Sequence, residues 1–188
     1  MQTQPPKQYR DGGLPTLRTK RLVLRSFTLA DAAEVQRECG RFEIADTTLS
    51  MPHPYPDGAA EEWIAAHPAV FAEGRGLSLK VTLAETGQYI GGIGLHDISE
   101  RHRRAEMGYV INVSQWGRGY CTEAAAAVVR YAFGEMGLHR VVAMHLTRNP
   151  ASGRVMQKIG MAHEGTLRHH VVKWDRFEDI ECCGICRE

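Results

Sequence analysis

The residues Gln115 to Tyr120 read Q-W-G-R-G-Y and lie where an alternating apolar run gives way to a helical stripe. A strand ending near Val113 therefore runs through Gly117 and Gly119 straight into a helix start. The first turn of a helix has backbone N–H groups without intrahelical partners, and its dipole adds roughly half a positive charge there. Phosphate is the natural occupant of such an end. Gly117 and Gly119 remove side chains where backbone must approach a ligand and permit positive φ, while Arg118 adds a direct charge. The loop is suited to a pyrophosphate. Two other phosphate loops are excluded. No Gly-Lys-Ser or Gly-Lys-Thr occurs in the chain, which removes the P-loop. G-G-I-G at Gly91 to Gly94 lacks both the final glycine spacing and the following helix of a dinucleotide fingerprint. Those glycines fit bulges or close backbone approach instead. The plainer alternative for Gly117 and Gly119 is a tight strand-to-helix turn with no ligand, and their spacing alone leaves both readings open.

Nine histidines and five cysteines invite metal or redox chemistry. His169 and His170 are adjacent in a strand-like segment and point to opposite faces, which is poor ligand geometry, so they read as surface or groove residues. Cys183 and Cys186 form a C-x-x-C without a second pair and without a following helix N-terminus, so neither zinc nor thioredoxin chemistry is supported. They read as packed strand cysteines, and no metal is expected. Tyr109, Trp63 and Trp174 could line a small-molecule or peptide pocket, although aromatic residues in strands and helices are most often core.

The elements that position these residues follow from periodicity. R-L-V-L-R-S-F at Arg21 to Phe27 alternates as a first strand, with Leu22 and Leu24 on one face. Thr28 and Asp31 have capping-box spacing and open a helix through Ala32, Val35 and Cys39, stopped at Gly40. Three prolines at Met51 to Gly58 require a loop. Asp57 then caps a helix through Trp63 and Ile64 that runs on toward Phe71 with a kink at His67, because Pro68 follows. Leu77 to Leu83, Gln88 to Leu95 and Ala105 to Asn112 form an antiparallel meander turning at Glu85-Thr86-Gly87. Ala124, Ala125, Val128, Val129, Ala132 and Met136 make the stripe of an amphipathic helix ending at Gly137. Arg140 to Leu146 is a nearly continuous apolar run, as in a central strand covered on both faces. Asn149 as N-cap, Pro150 at the first helical position and Gly160 beyond the end frame a helix that buries Ala151, Val155, Met156 and Ile159. Strands at Ala162 to Lys173 and Phe177 to Cys186 close as a hairpin around Trp174 to Arg176. The predicted class is α/β (α+β): a mostly antiparallel twisted sheet of about seven strands with helices on both faces.

At 188 residues the chain fits one domain with its own core. Residues 1–15 are rich in Gln, Pro and Gly and read as a flexible arm, leaving 16–188 as the domain. With 23 Lys and Arg against 22 Asp and Glu, nothing in the overall charge favours nucleic acid or an anionic membrane. No apolar run approaches a membrane span or a secretory leader. The odd cysteine count suggests reduced thiols and a cytoplasmic address.

The glycine loop resembles the pyrophosphate motif of the GNAT N-acetyltransferase superfamily. The general form, Gln/Arg-x-x-Gly-x-Gly/Ala, would place glycine at 118 and glycine or alanine at 120, where this chain has Arg118 and Tyr120. The RimJ/RimL branch, the ribosomal-protein alanine N-acetyltransferase type, fits in register: tryptophan, glycine, a basic residue, glycine and tyrosine, then Thr-Glu-Ala, match Trp116 to Tyr120 and Thr122 to Ala124. The resemblance extends from about Leu17 to the C-terminus through T-K-R-L-V-L-R, A-E-M-G-Y, G-L-H-R-V, N-P-A-S at Asn149 to Ser152 and H-E-G-T-L-R at His163 to Arg168.

The resemblance implies that the strand before the loop splays from the strand after the helix, with acetyl-coenzyme A lying in the gap. Its pantetheine arm would pair with Val110, Ile111 and Val113, and its diphosphate would meet the amides of Trp116, Gly117, Arg118, Gly119 and Tyr120, with Thr122 behind. Asn149 and Ser152 would contact the cofactor near its sulfur, and Ser152 would protonate the departing thiolate. Capping alone also explains both residues. Glu106, grouped by parity with Gly108 and Val110, would be the base acting through water. The alternative is a surface pair between Glu106 and Arg103 or Arg104. The implied reaction acetylates a primary amine, foremost a protein N-terminal α-amine. Acetylation of a small amine such as an antibiotic or polyamine stays open, as does a catalytically silent acyl-coenzyme A sensor needing neither Glu106 nor Ser152. No metal, nucleic acid or membrane partner is implied, and the oligomeric state is left open, a homodimer included.

Overall fold

The computed structural model describes residues 13–188. Of the expected flexible arm, residues 1–15, positions 1–12 lie outside the described residues, whereas Leu14 is half-buried and packs against the core. The strands are β1 (Leu17–Arg18), β2 (Leu22–Arg25), β3 (Leu77–Leu83), β4 (Tyr89–Ser99), β5 (Arg104–Ile111), β6 (Arg140–Leu146), β7 (Ala162–Lys173) and β8 (Arg176–Cys186). The helices are α1 (Ala32–Cys39), α2 (Phe42–Thr47), α3 (Ala59–Ala72), α4 (Tyr120–Gly134) and α5 (Pro150–Lys158). One eight-stranded sheet has the order β1-β2-β3-β4-β5-β6-β8-β7. Every neighbouring pair is antiparallel except β5 and β6. The strand beyond the expected seven is the two-residue β1, which pairs Leu17 with Leu24 and is too short to leave a periodic signal.

The two faces of the sheet are covered by different helices. Ala124, Ala125, Val128, Val129 and Ala132 of α4 bury against Ala105, Met107, Val141 and Ala143, and Met156 of α5 joins them. On the other face Ala32, Val35 and Cys39 of α1 and Ala60 and Ile64 of α3 enclose Phe27 and Tyr89. Tight sheet packing requires glycine in β4: a Cβ on Gly91, at φ +153°, would come within 2.2 Å of the Val110 carbonyl oxygen.

Three local features differ from expectation. Gly58, at φ +78°, rather than Asp57 occupies the N-cap of α3 and makes no side-chain capping bond, because the left-handed entry suits glycine. The helix then continues through Pro68 to Ala72. Ala151, in the first turn of α5, is exposed rather than buried, whereas Val155, Met156 and Ile159 reach the core. Between Thr28 and α1 the capping box is present, but it opens a single 3-10 turn, Leu29–Asp31, that leads into the helix.

The Asp31 carboxylate also accepts hydrogen bonds from the Lys80 ammonium at 2.7 Å and from the Arg25 guanidinium at 3.1 and 3.2 Å. Lys80 and Asp31 are both buried, and Glu34 lies 3.1 Å from the same ammonium. Burial alone would raise the Asp31 pKa, but Arg25, Lys80 and the Thr28 amide outweigh it and hold the carboxyl far below the usual range. This buried network fixes α1 to β2 and β3.

Candidate functional site

Strands β5 and β6 pair only from Arg104 to Glu106 against Arg140 to Val142. β5 continues to Ile111 and β6 to Leu146, so among the described residues Met107–Ile111 has no strand partner on that side. The sheet therefore opens in a V whose crotch lies at Glu106 and Val142. Asn112 donates its backbone N–H to Ile90 on β4 at 2.8 Å, and the Val110 carbonyl also faces β4. Strand alternation then turns the polar backbone of Ile111 and Tyr109 toward the opening. The Ile111 carbonyl there accepts a 2.6 Å hydrogen bond from the Trp116 indole.

At the mouth of the V, a 3-10 turn at Val113–Gln115 leads through Trp116 to Gly117 and Gly119, at φ +75° and +76°, and Tyr120 begins α4. The first α4 hydrogen bond runs from the Glu123 N–H to the Gly119 carbonyl at 3.1 Å. The amides of Tyr120, Cys121 and Thr122 therefore have no carbonyl of the helix to bond. Trp116, Gly117, Arg118 and Gly119 are exposed, and Val113 and Thr122 are half-buried. Behind the loop, Asn112 and Gln115 are buried, with Oδ1 and Oε1 lacking partners among the described residues.

Arg21, read from the sequence only as a strand residue, belongs to this loop. Its guanidinium donates to the Arg118 carbonyl at 3.0 Å and to Glu123 at 2.6 Å, and lies 4.6 Å from the Tyr120 ring centre. Thr19 also donates to Glu123 at 2.6 Å. Burial would raise the Glu123 pKa, yet these hydrogen bonds lower it, so the carboxylate stays ionised and ties the chain before β2 to the first turn of α4. No motif spacing signals this contact.

Deeper in the V, the Tyr109 hydroxyl lies 2.8 Å from Ser152 Oγ and 3.1 Å from the Ser152 carbonyl. Burial first, then the nearby Cys121, raises the Tyr109 pKa, so the phenol remains a donor. If Tyr109 donates to Oγ, the Ser152 proton is free for a third group. Asn149 accepts from the Ser152 amide at 3.3 Å and donates to the Thr47 carbonyl at 3.1 Å. Its side chain is thus engaged at both ends, fixing the turn that presents Ser152. His145, buried beneath α5, occupies the space beside Gly153, where a Cβ would approach Nε2 to 2.8 Å.

Glu106 has the opposite parity from Ala105 and Met107, which pack toward α4, so its side chain lies on the α1–α3 face. Ser152 and Glu106 flank the V from opposite faces. The Glu106 side chain is 19% exposed, with His96 Nε2 3.9 Å from its carboxylate. Its pKa is raised, first by burial and also by Asp97, against the opposing effects of His96 and Arg104. Arg103, one of the cations considered for pairing, donates instead to the Gly137 carbonyl.

On the same face, α2 and the loop after it form a wall. Trp174 stacks on Phe42 with centroids 5.6 Å apart and donates to Asp46 at 2.8 Å. Arg148 bridges Asp46 and Glu178, each at 2.9 Å, and Lys173 donates to the Met51 carbonyl at 2.8 Å. Trp63 instead packs against His67, 4.3 Å away, beside a cleft of about 440 Å³ that His96 and Asp97 also line. His169 and His170 are exposed, and all five cysteines are free. Among the described residues no helix is long and apolar enough to cross a membrane.

Residues Arg21 to Ala162 match the family described as Acetyltransferase (GNAT) domain. The uncharacterized N-acetyltransferase YoaA of Bacillus subtilis is 34% identical over 168 residues, spanning 84% of this chain and 88% of that protein. The ribosomal-protein-serine acetyltransferase of Escherichia coli is 26% identical over 106 residues, 56% of this chain and 59% of that protein. A GNAT-family acetyltransferase crystal structure from Bacillus anthracis superposes with TM-score 0.81 at 25% identity, covering 92% of this chain and 98% of that one. The open strand pair and the glycine turn of this chain thus lie within a known acetyltransferase fold, and this chain belongs to the GNAT acetyltransferase family.

Proposed function

We propose that this acetyltransferase moves the acetyl group of acetyl-coenzyme A to a protein N-terminal α-amine. The observation that carries the reading is the V between β5 and β6, with a glycine turn and unpaired helix amides at its mouth and two proton-handling groups on opposite faces of its crotch. The diphosphate suits the amides of Trp116 to Tyr120 and the Arg118 side chain, with Thr122 behind and Arg21 supporting the loop. The pantetheine suits the open edge of β5 at Ile111, which presents polar backbone, and the turn at Val113, whereas the Val110 backbone, expected to pair with it, is turned to β4. Asn149 serves by holding Ser152 in place. The bound thioester supplies an activated acetyl carbon.

Glu106, through a water, removes the ammonium proton of the acceptor on one face. Ser152, with Tyr109 behind it, donates a proton to the thiolate leaving on the other. A raised Glu106 pKa still leaves a weak base, which suits an α-amine: with pKa about 8 it is roughly one-fifth free at pH 7.4, against about one part in a thousand for lysine near 10.4. The name of the Escherichia coli relative agrees with a protein acceptor. A cytoplasmic address accompanies this reading, supported by five free thiols.

The test is mass spectrometry after incubation with acetyl-coenzyme A and a panel of N-terminal peptides, ribosomal proteins and small amines including polyamines. Acetyl addition at the α-amine of a peptide or protein is expected. Modification of small amines alone would transfer the assignment to that class, and binding without any transfer would indicate a silent sensor.

A further inference from the structure

We infer that His96, oriented by Asp97, is a positioning residue that conducts protons between Glu106 and solvent. The inference rests on Glu106 being the base. Acetylating an ammonium acceptor forms a C–N bond, breaks a C–S bond and takes two protons from nitrogen. One leaves with the thiol on the Ser152 side, and the other reaches Glu106 and must pass to bulk water before the next turnover. Glu106 is poorly placed to lose it directly, at 19% exposure, whereas the neighbouring His96 side chain is 51% exposed.

The register puts His96 on β4 directly opposite Glu106 on β5. Its Nδ1 lies 3.2 Å from Asp97 Oδ2 and its Nε2 3.9 Å from Glu106 Oε1. With Nδ1–H donating to Asp97, the Nε2 lone pair faces Glu106 and receives its proton after a small rotation or through one water. Imidazole is a common proton shuttle, so the ring can then pass that proton to solvent. Gly108, next toward the V on that face, borders the ring: a Cβ there would make ordinary contact with Nε2 at 3.5 Å.

Other groups around the pair are Arg104, which acts on Glu106, and Cys182 on β8, whose pKa Glu106 helps to raise. His67 and Arg75 border the cleft that His96 and Asp97 line. Burial lowers the His67 pKa to about 4, so that ring stays neutral. His96, Asp97 and Glu106 also bring ligand atoms within 4.8 Å of one another, as a metal site would. The nearest contacts are divided between the ring nitrogens, however, Nδ1 with Asp97 at 3.2 Å and Nε2 with Glu106 at 3.9 Å, so the ring bridges the two carboxylates. That arrangement favours a proton path.

The experiment compares wild type, His96→Gln and Glu106→Gln, using the fastest acceptor of the panel in weak and strong buffer. His96→Gln is expected to lower kcat about tenfold or more in weak buffer, with KM and Kd for acetyl-coenzyme A unchanged. Added imidazole should restore its rate and leave wild type unaffected, which a purely structural role would not produce. Unimpaired His96→Gln beside a slow Glu106→Gln would overturn the relay alone, and full activity in Glu106→Gln would overturn the base assignment. Independently of any acceptor, ¹⁵N NMR should find neutral His96 protonated at Nδ1. Protonation at Nε2 would contradict the relay.

Discussion

In the proposed mechanism Ser152 and Tyr109 act as one donor unit, because their hydroxyls lie 2.8 Å apart. Ser152→Ala should lower kcat by roughly 10- to 100-fold while leaving KM for acetyl-coenzyme A nearly constant. Adding Tyr109→Phe should cost little more, since groups acting as a unit are not additive. Steady-state kinetics of both single variants and the double variant checks this. As the proposed base, Glu106 must be ionised, and its pKa is raised above the ordinary carboxylate value. Activity should therefore rise with pH through that raised value, and Glu106→Gln should remove this acid limb from the kcat/KM profile. Glu106 was singled out in the sequence by its strand and its parity with Gly108 and Val110, but His96 was not. His96 is ten residues earlier, and only the antiparallel register brings the two together.

At the scale of elements, two ionic ties carry the site. Glu123 binds Thr19 and Arg21 and so couples the chain before β2 to the start of α4. Glu123→Gln should lower stability by about 1 kcal/mol, because the Arg21 side of the pair is 43% exposed and partly screened. It should also weaken acetyl-coenzyme A binding by loosening the loop. The Glu123 pKa is depressed, so its contribution is present above the unfolded carboxylate value and is lost as pH falls through the folded one. Asp31 is the more deeply buried case, and Asp31→Asn should cost about 3 kcal/mol by leaving Lys80 under-compensated. For a chain of this size that corresponds to a Tm loss of roughly 6–12 °C, measurable by calorimetry. The long elements were legible where one signal dominated. The apolar runs of β3 and β6 and the Asn149, Pro150 and Gly160 frame of α5 all specify their segments. Helix α2 was not legible, since six residues give less than two turns of periodicity. The Arg21–Arg118 contact spans 97 residues and is created only when β2 packs beside α4.

For the whole molecule, the decisive feature is a sheet that is continuous at one end and open at the other. Pairing of β5 with β6 stops at Glu106 and Val142, and the proposed base on β5 and proposed acid on α5 approach that opening from its two faces. The apolar pattern predicts helices on both faces and a central β6, but an opening between strands leaves no pattern in either strand's sequence. The resemblance carried that expectation, through W-G-R-G-Y in register and N-P-A-S one strand later. Gly119 links the loop to the fold: at φ +76°, Gly119→Ala should introduce about 1–2 kcal/mol of strain and weaken the anion cradle. The most direct test of the account is calorimetric titration of the wild-type protein with acetyl-coenzyme A, repeated with Gly119→Ala. The account predicts saturable binding of one acetyl-coenzyme A per chain, measurably weakened by the substitution. Absence of binding to the folded wild-type protein would contradict it.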